Sequence, residues 1–377
     1  MIMGREMSDV DLNGSPTSAA GGRHVGRRDF IRRGSVTFAG AGLANLLHDR
    51  GAAAQPGRKS TVVMVKHDGA TDDRGVGHPA VVKKLVDRAV AEFTGKESPG
   101  DAWSEFISPS DIVGIKVNCI AQKNFSTQRC VVDAIVDGVT GAGVKPSNII
   151  VWDRWNWEMQ AGGYEINTSG EGVQCYGTDR GSYDPANVGS VPRGERGRML
   201  KEITGDFYAK EPTDIAGVPV YLSKILLEQV TALINVPLVK DHRGAGVTCS
   251  MKNHYGSILN PSDLHGSNCD PYIPHLNLVP AIRDKTRLIV TDFLRAVYNG
   301  GPGDSPDRWR QNAVMVGTDS VAMDSLALRF VEEKRKENSI PPIGERARYV
   351  ATAAKLGLGT NDPARIDLKE IDITSSA

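Results

Sequence analysis

The sequence predicts an α/β fold, a mainly parallel sheet flanked by helices, on three observations. Short β-branched runs alternate with apolar helical patterns from residue 60 onward. The first two helical patterns close on glycine. Polar side chains collect where the apolar runs end. With 377 residues the chain can bury a sizeable core, as one large domain or two modest ones.

In chain order, "STVVMVKHDG" (60–69) reads as a strand ending in Lys66, His67 and Asp68. "HPAVVKKLVDRAVAEFTG" (78–95) has apolar residues at helical spacing, and "DIVGIKVNCI" (111–120) is a second buried strand. "TQRCVVDAIVDGVTGAG" (127–143) gives a second helix and "SNIIVWDR" (147–154) a third strand. Residues 155–215 break the period: they are rich in glycine, aromatic and polar residues, as an insertion, lid or binding loop would be. The alternation resumes with "TALINVPLVKDH", then "TRLIVTDFLRAVYNGGPG", then a strand and long helix in "NAVMVGTDSVAMDSLALRFVEEKRKE". The expected domain is 55–377, either one body or two lobes, 55–154 and 216–377, around the insertion.

The N-terminal segment is set apart. "GRRDFIRRGSVTFAGAGLANLL" carries the pair Arg27 and Arg28, then Phe30 and Ile31, then a weakly apolar stretch and an Ala-x-Ala site at Ala52 and Ala54. This resembles a twin-arginine signal peptide over residues 1–54, and implies periplasmic or other export of a folded protein by the twin-arginine machinery. Gly26 departs from the Ser or Thr usual there. The remainder carries 38 basic and 40 acidic residues, without a basic stripe or interleaved aromatics, which argues against nucleic acid. No apolar run approaches the roughly 18 residues of a membrane span.

Ligands of open α/β sheets bind at the carboxyl ends of the strands. The expected ends are Lys66-His67-Asp68, Lys116-Val117-Asn118, Asp153-Arg154, Lys240-Asp241-His242, Asp292 and Thr318-Asp319-Ser320. Together they predict one anion-receptive rim. The stretch "VKDHRGAGVTCSMKNHYG" (239–256) adds Lys240 and Lys252 as positive charge, with Gly244 and Gly246 allowing close backbone approach. Arg243, Arg295 and Lys252 could clamp a carboxylate or phosphate. Neither the phosphate-loop spacing nor a Gly-x-Ser-x-Gly elbow occurs.

A second expectation is metal. His242, His254, His265 and His275 lie close in sequence beside Cys249 and Cys269, and Asp241, His242, Cys249 and His254 are the expected ligands, of types suited to zinc or iron. The spacing matches no zinc-finger pattern. Cys249 reads either as a thiol nucleophile with His254 as base or as a buried structural thiol.

The segments "DIVGIKVNC", "GAGVKPSNIIVWD", "LINVPLVKDHRGAGVTCSMKNHYGSI", "YNGGPG" and "VGTDSVAMDSLA" resemble the family catalogued as domain of unknown function 362, over roughly residues 60–335 apart from the insertion. The resemblance implies an α/β fold and singles out Lys116, Asn118, Lys240, Lys252, Asn253, Gly256, Asp319 and Asp324 as site residues. It implies no substrate. Many relatives carry a ferredoxin-like cysteine cluster, and the five cysteines here show no Cys-x-x-Cys spacing. The resulting expectation is an exported enzyme acting on a small anionic ligand, with Lys116, Asn118, Lys240, Asn253, Gly256, Arg243, Asp319 and Asp324 as binding residues. His242, His254 and Lys252 are the expected acid–base groups. The alternative is a non-catalytic metal- or ligand-binding periplasmic protein.

Overall fold

The computed structural model describes residues 59–183, 200–202 and 204–374; residues 1–54, the expected signal peptide, lie outside the described residues. One ten-stranded sheet organises them. Its strands are β1 (Ser60–Lys66), β2 (Val113–Lys116), β3 (Ile149–Trp152), β4 (Gln174–Cys175), β7 (Ala232–Asn235), β8 (Leu238–His242), β9 (Gly246–Thr248), β10 (Thr286–Val297), β11 (Arg308–Gly317) and β12 (Ile366–Asp372), while β5 (Thr213–Ile215) and β6 (Val218–Val220) pair with each other. The order is β12-β1-β11-β10-β7-β2-β3-β4, with β8 on β10 and β9 on β8. Pairing is mostly parallel, but β11 runs antiparallel to both β1 and β10.

The apolar runs feed two cores because successive strand residues point to opposite faces. Val63, Val65, Val113, Ile115 and Ile234 pack on one side with Leu85 of helix α1 (Pro79–Thr94), Trp103 of α2 (Pro99–Ser104) and Ile135 of α3 (Arg129–Gly141). Val62, Met64, Leu233, Ile289 and Met315 face the other, toward Ile273 of the Tyr272–Asn277 helix, Ala322 of the Ser320–Glu337 helix and Tyr349 of the Tyr349–Lys355 helix. The expected α/β sheet is therefore observed, with helices on both faces. Among the described residues no helix is long and apolar enough to cross a membrane.

Two features position the site. Pro237 interrupts the strand that begins as β7, and the chain resumes as β8 along the later half of long β10, where Lys240 pairs with Val297. β2 stops at Lys116, opposite Asn235. β8 thus continues past the end of β2, leaving a recess walled by β8. The insertion contributes to the same end: β4 extends the sheet beside β3, and residues 156–161 form a helix.

Candidate functional site

The recess is a cavity of about 110 Å³ lined by residues that include Asn118, Asp153, Arg154, Glu158, Lys240, His242, Lys252, Tyr255 and His265. Alternation along β8 turns Lys240 and His242 into it and Asp241 away. A 3₁₀ turn at Lys252–Ser257 repeats every three residues, so Lys252 and Tyr255 share a face. The Lys252 ammonium lies 3.7 Å from the Tyr255 ring centre.

Lys116 forms the floor. Its Nζ donates to Asp153 Oδ1 at 2.7 Å and to the Val117 carbonyl at 2.6 Å, while Asp153 Oδ2 accepts the Cys119 N–H at 2.6 Å. Gly256 packs directly on this pair: a Cβ there would stand 2.6 Å from Lys116 Nζ and overlap Asp153 Oδ1. Any side chain here would have to displace the Lys116–Asp153 pair.

A buried amide relay holds the next lysine. Lys240 Nζ donates to Asn118 Oδ1 at 2.9 Å, Asn118 Nδ2 donates to Asn253 Oδ1 at 2.9 Å, and Asn253 Nδ2 donates to Asn235 Oδ1 at 2.7 Å. Lys240 is 1% exposed and Lys252 6% exposed, and among the described residues neither has a carboxylate within ion-pair distance. Burial lowers the Lys240 pKa to about 8. Burial, with the charge of Lys240 adding to it, lowers that of Lys252 to about 7.

The two histidines at the site are held neutral. His265 Nδ1 donates to the Pro261 carbonyl at 2.8 Å, which leaves Nε2 as an acceptor 3.3 Å from Lys252 Nζ. Burial first, then Lys252, lowers its pKa to about 4. His242 Nδ1 accepts the N–H groups of Gly244 and Ala245 at 3.1 and 3.0 Å, so its proton sits on Nε2. Burial holds His242 well below the ordinary histidine range. The two rings stack with centres 5.6 Å apart. Arg154 and Glu158 form a lateral pair at 3.2 Å, with the Glu158 pKa raised by burial. Asp153 and Glu158 are matched by Lys116 and Arg154, so the charges of Lys240 and Lys252 are in surplus.

Several expected site residues lie elsewhere. Arg243, the residue after His242, is exposed and outside the cavity. Asp319 caps the Ser320–Glu337 helix and binds Ser60 at the opposite edge of the sheet, because β11 is antiparallel. Asp324 is buried and receives the Tyr349 hydroxyl at 2.8 Å and the Met251 N–H at 3.3 Å, which braces the residue before Lys252. Lys66 pairs with Asp372 at 3.1 Å on exposed surface, three strand spacings (about 14 Å) from β7. Asp292 accepts the Gln128 N–H at 2.8 Å and is no part of the cavity lining. Arg295 stacks over Phe125.

The expected metal ligands do not converge. Among the described residues no three His, Cys, Asp or Glu side chains form a ligand group. Asp241 faces Arg335 and Arg346 at 3.4 and 3.6 Å, on the side of β8 opposite His242. Cys249 is buried against Thr291 at 3.8 Å, and the His254 ring meets Ser257 at 3.4 Å behind the 3₁₀ turn. These residues do not fit zinc or iron. Tyr255, Glu158 and the lining position of His265 are outside the sequence expectation; the three-residue spacing of Lys252 and Tyr255 is the one sequence signal that points to Tyr255.

No curated protein matches the chain. A crystal structure of a protein from Thermotoga maritima is similar over 64% of this chain and 58% of that one, with 13% identity and a TM-score of 0.32. The chain thus spans less than two thirds of that protein's length. A family model described as "Domain of unknown function (DUF362)" matches residues 113–329, a span holding β2, β3, β7, β8 and the 3₁₀ turn of Lys252, and the chain belongs to that family.

Proposed function

We propose that this protein is an exported enzyme acting on a small anionic molecule bound at the ends of β2, β3 and β8. One observation carries the reading: Lys240 and Lys252 are buried in one cavity without carboxylate partners among the described residues. A buried ammonium without a counter-ion costs several kcal/mol, so such a pair favours an anion between them. An enzyme is favoured over a non-catalytic binder because Lys252 and His265 form a donor–acceptor pair in the cavity, with an amine that titrates near neutral pH. Export rests on Arg27, Arg28 and the Ala52–Ala54 site, in residues outside those described.

Calorimetric titration with oxalate and with sulfate, both fully ionised near neutrality, tests the site. The wild-type chain should bind at least one of them at pH 6.5, and the Lys240→Met/Lys252→Met variant neither. Equal binding by both proteins would sink the reading.

A further inference from the structure

Resting on that anion site, we infer that Lys252 forms an imine with the carbonyl of a small 2-oxo carboxylic acid whose carboxylate is held by Lys240. Three arrangements point there. Lys240 spends one N–H on Asn118 and keeps two for a ligand carboxylate. Lys252 packs against the Tyr255 ring and the His265 imidazole, and among the described residues no carboxylate lies within ion-pair distance to lock its nitrogen. The His265 acceptor atom is fixed toward that nitrogen by the bond from Nδ1 to Pro261.

An amine attacks a carbonyl only with its lone pair free. Burial brings the Lys252 pKa to about 7, so a large share of the amine is neutral at physiological pH. Lys240, with a pKa of about 8, keeps more of its charge there and suits the carboxylate.

The step balances. Lys252 passes one proton to His265 Nε2; the freed nitrogen forms the C–N bond, and the carbonyl π pair moves to oxygen. That oxygen takes the proton back from His265 and then a second one from the nitrogen through the same imidazole. It leaves as water, and the nitrogen lone pair closes the C=N bond. One ammonium and one ketone thus become one iminium and one water, with no oxidant or reductant consumed. The iminium is an electron sink beside a carboxylate, which places the ligand class among acids activated for proton transfer or carbon–carbon cleavage next to the carbonyl.

The test is borohydride trapping. The full chain is incubated with pyruvate or glyoxylate and sodium borohydride, then read by intact mass and peptide mapping. Expected is one adduct per chain, heavier by the acid minus one oxygen atom, on the peptide holding Lys252. It should be at least tenfold weaker in Lys252→Arg, and its formation should quicken as pH rises through about 7. Labelling spread over surface lysines, or undiminished in Lys252→Arg, overturns the inference. Oxalate binding without any adduct overturns it and leaves the anion site standing, whereas loss of both overturns the two together. Mapping the wild-type adduct gives the answer even if Lys252→Arg folds poorly.

Discussion

The two ends of the central sheet both carry charged side chains, part-buried at one and buried at the other, and treat them in opposite ways. Beyond the end of β11, Asp319 receives the N–H groups of Val321 and Ala322, both at 2.9 Å, that of Thr360 at 3.0 Å, and the Ser60 hydroxyl. Its charge is answered within the chain. At the ends of β2 and β8, Lys240 and Lys252 meet amide oxygen, imidazole and aromatic faces, with no carboxylate partner among the described residues. A satisfied carboxylate holds a helix in place, whereas an unanswered buried ammonium favours an anion, which is the ground of the proposed function. That contrast separates structural from functional polar residues more sharply than residue type or position at a strand end.

The largest effect should come where the two behaviours meet, at the Lys116–Asp153 pair under the cavity. Lys116→Met leaves Asp153 buried without its partner, and breaking such a pair costs about 3–5 kcal/mol. Urea denaturation should show an unfolding free energy lower by that amount. A loss below about 1 kcal/mol would mean that water reaches Asp153 and that the floor is not closed.

Lys240→Met inverts the pattern. It removes a buried charge, so stability should hold or rise slightly, while oxalate affinity falls about 10- to 150-fold, equivalent to about 1.5–3 kcal/mol for a charge-assisted hydrogen bond. Lost stability with retained affinity would make Lys240 a structural residue, as Asp319 is.

Titration sharpens the comparison further. Both lysines have pKa values lowered by burial, to about 7 and about 8, so they are charged below those values and neutral above them. Oxalate keeps its charge throughout, so affinity should fall by at least about tenfold between pH 6 and pH 9, by calorimetry. Affinity that is flat or rises with pH would contradict the assignment of the two amines as the anion-holding groups.

Legibility in the sequence followed the direction of the strands. Lys116, Asn118, Asp153 and Lys240 could be placed together because parallel strands deliver their carboxyl ends to one edge. Asp319 lies away from the expected rim because nothing in "AVMVG" states that β11 runs antiparallel. β12 has no clear strand signature because "IDLKEID" is a half-exposed edge strand whose charged residues mask its period. Asp241 and His242 looked like joint ligands, yet adjacent strand residues face apart. His265 gained its place through tertiary packing of a loop, which no local pattern encodes.

Asp319→Ala should cost about 1–2 kcal/mol through loss of the helix cap, with oxalate affinity within about twofold of wild type. A tenfold affinity loss would show that the helix behind Asp324 and Met251 transmits to the Lys252 turn.

The smallest effect on the ligand is expected at His254, only two residues from Lys252. The 3₁₀ period turns its ring behind the turn toward Ser257, and burial lowers its pKa to about 3, so it carries no charge between pH 5 and pH 9. His254→Gln should therefore leave both oxalate affinity and its pH profile within about twofold of wild type, whatever packing cost of about 1 kcal/mol thermal melting reveals. A pH profile displaced in this variant would break the comparison from the other side. It would mean that a neutral group outside the lining sets the charge of the lysines inside it, and that the turn as a unit, not the two ammonium groups, is what the anion reads.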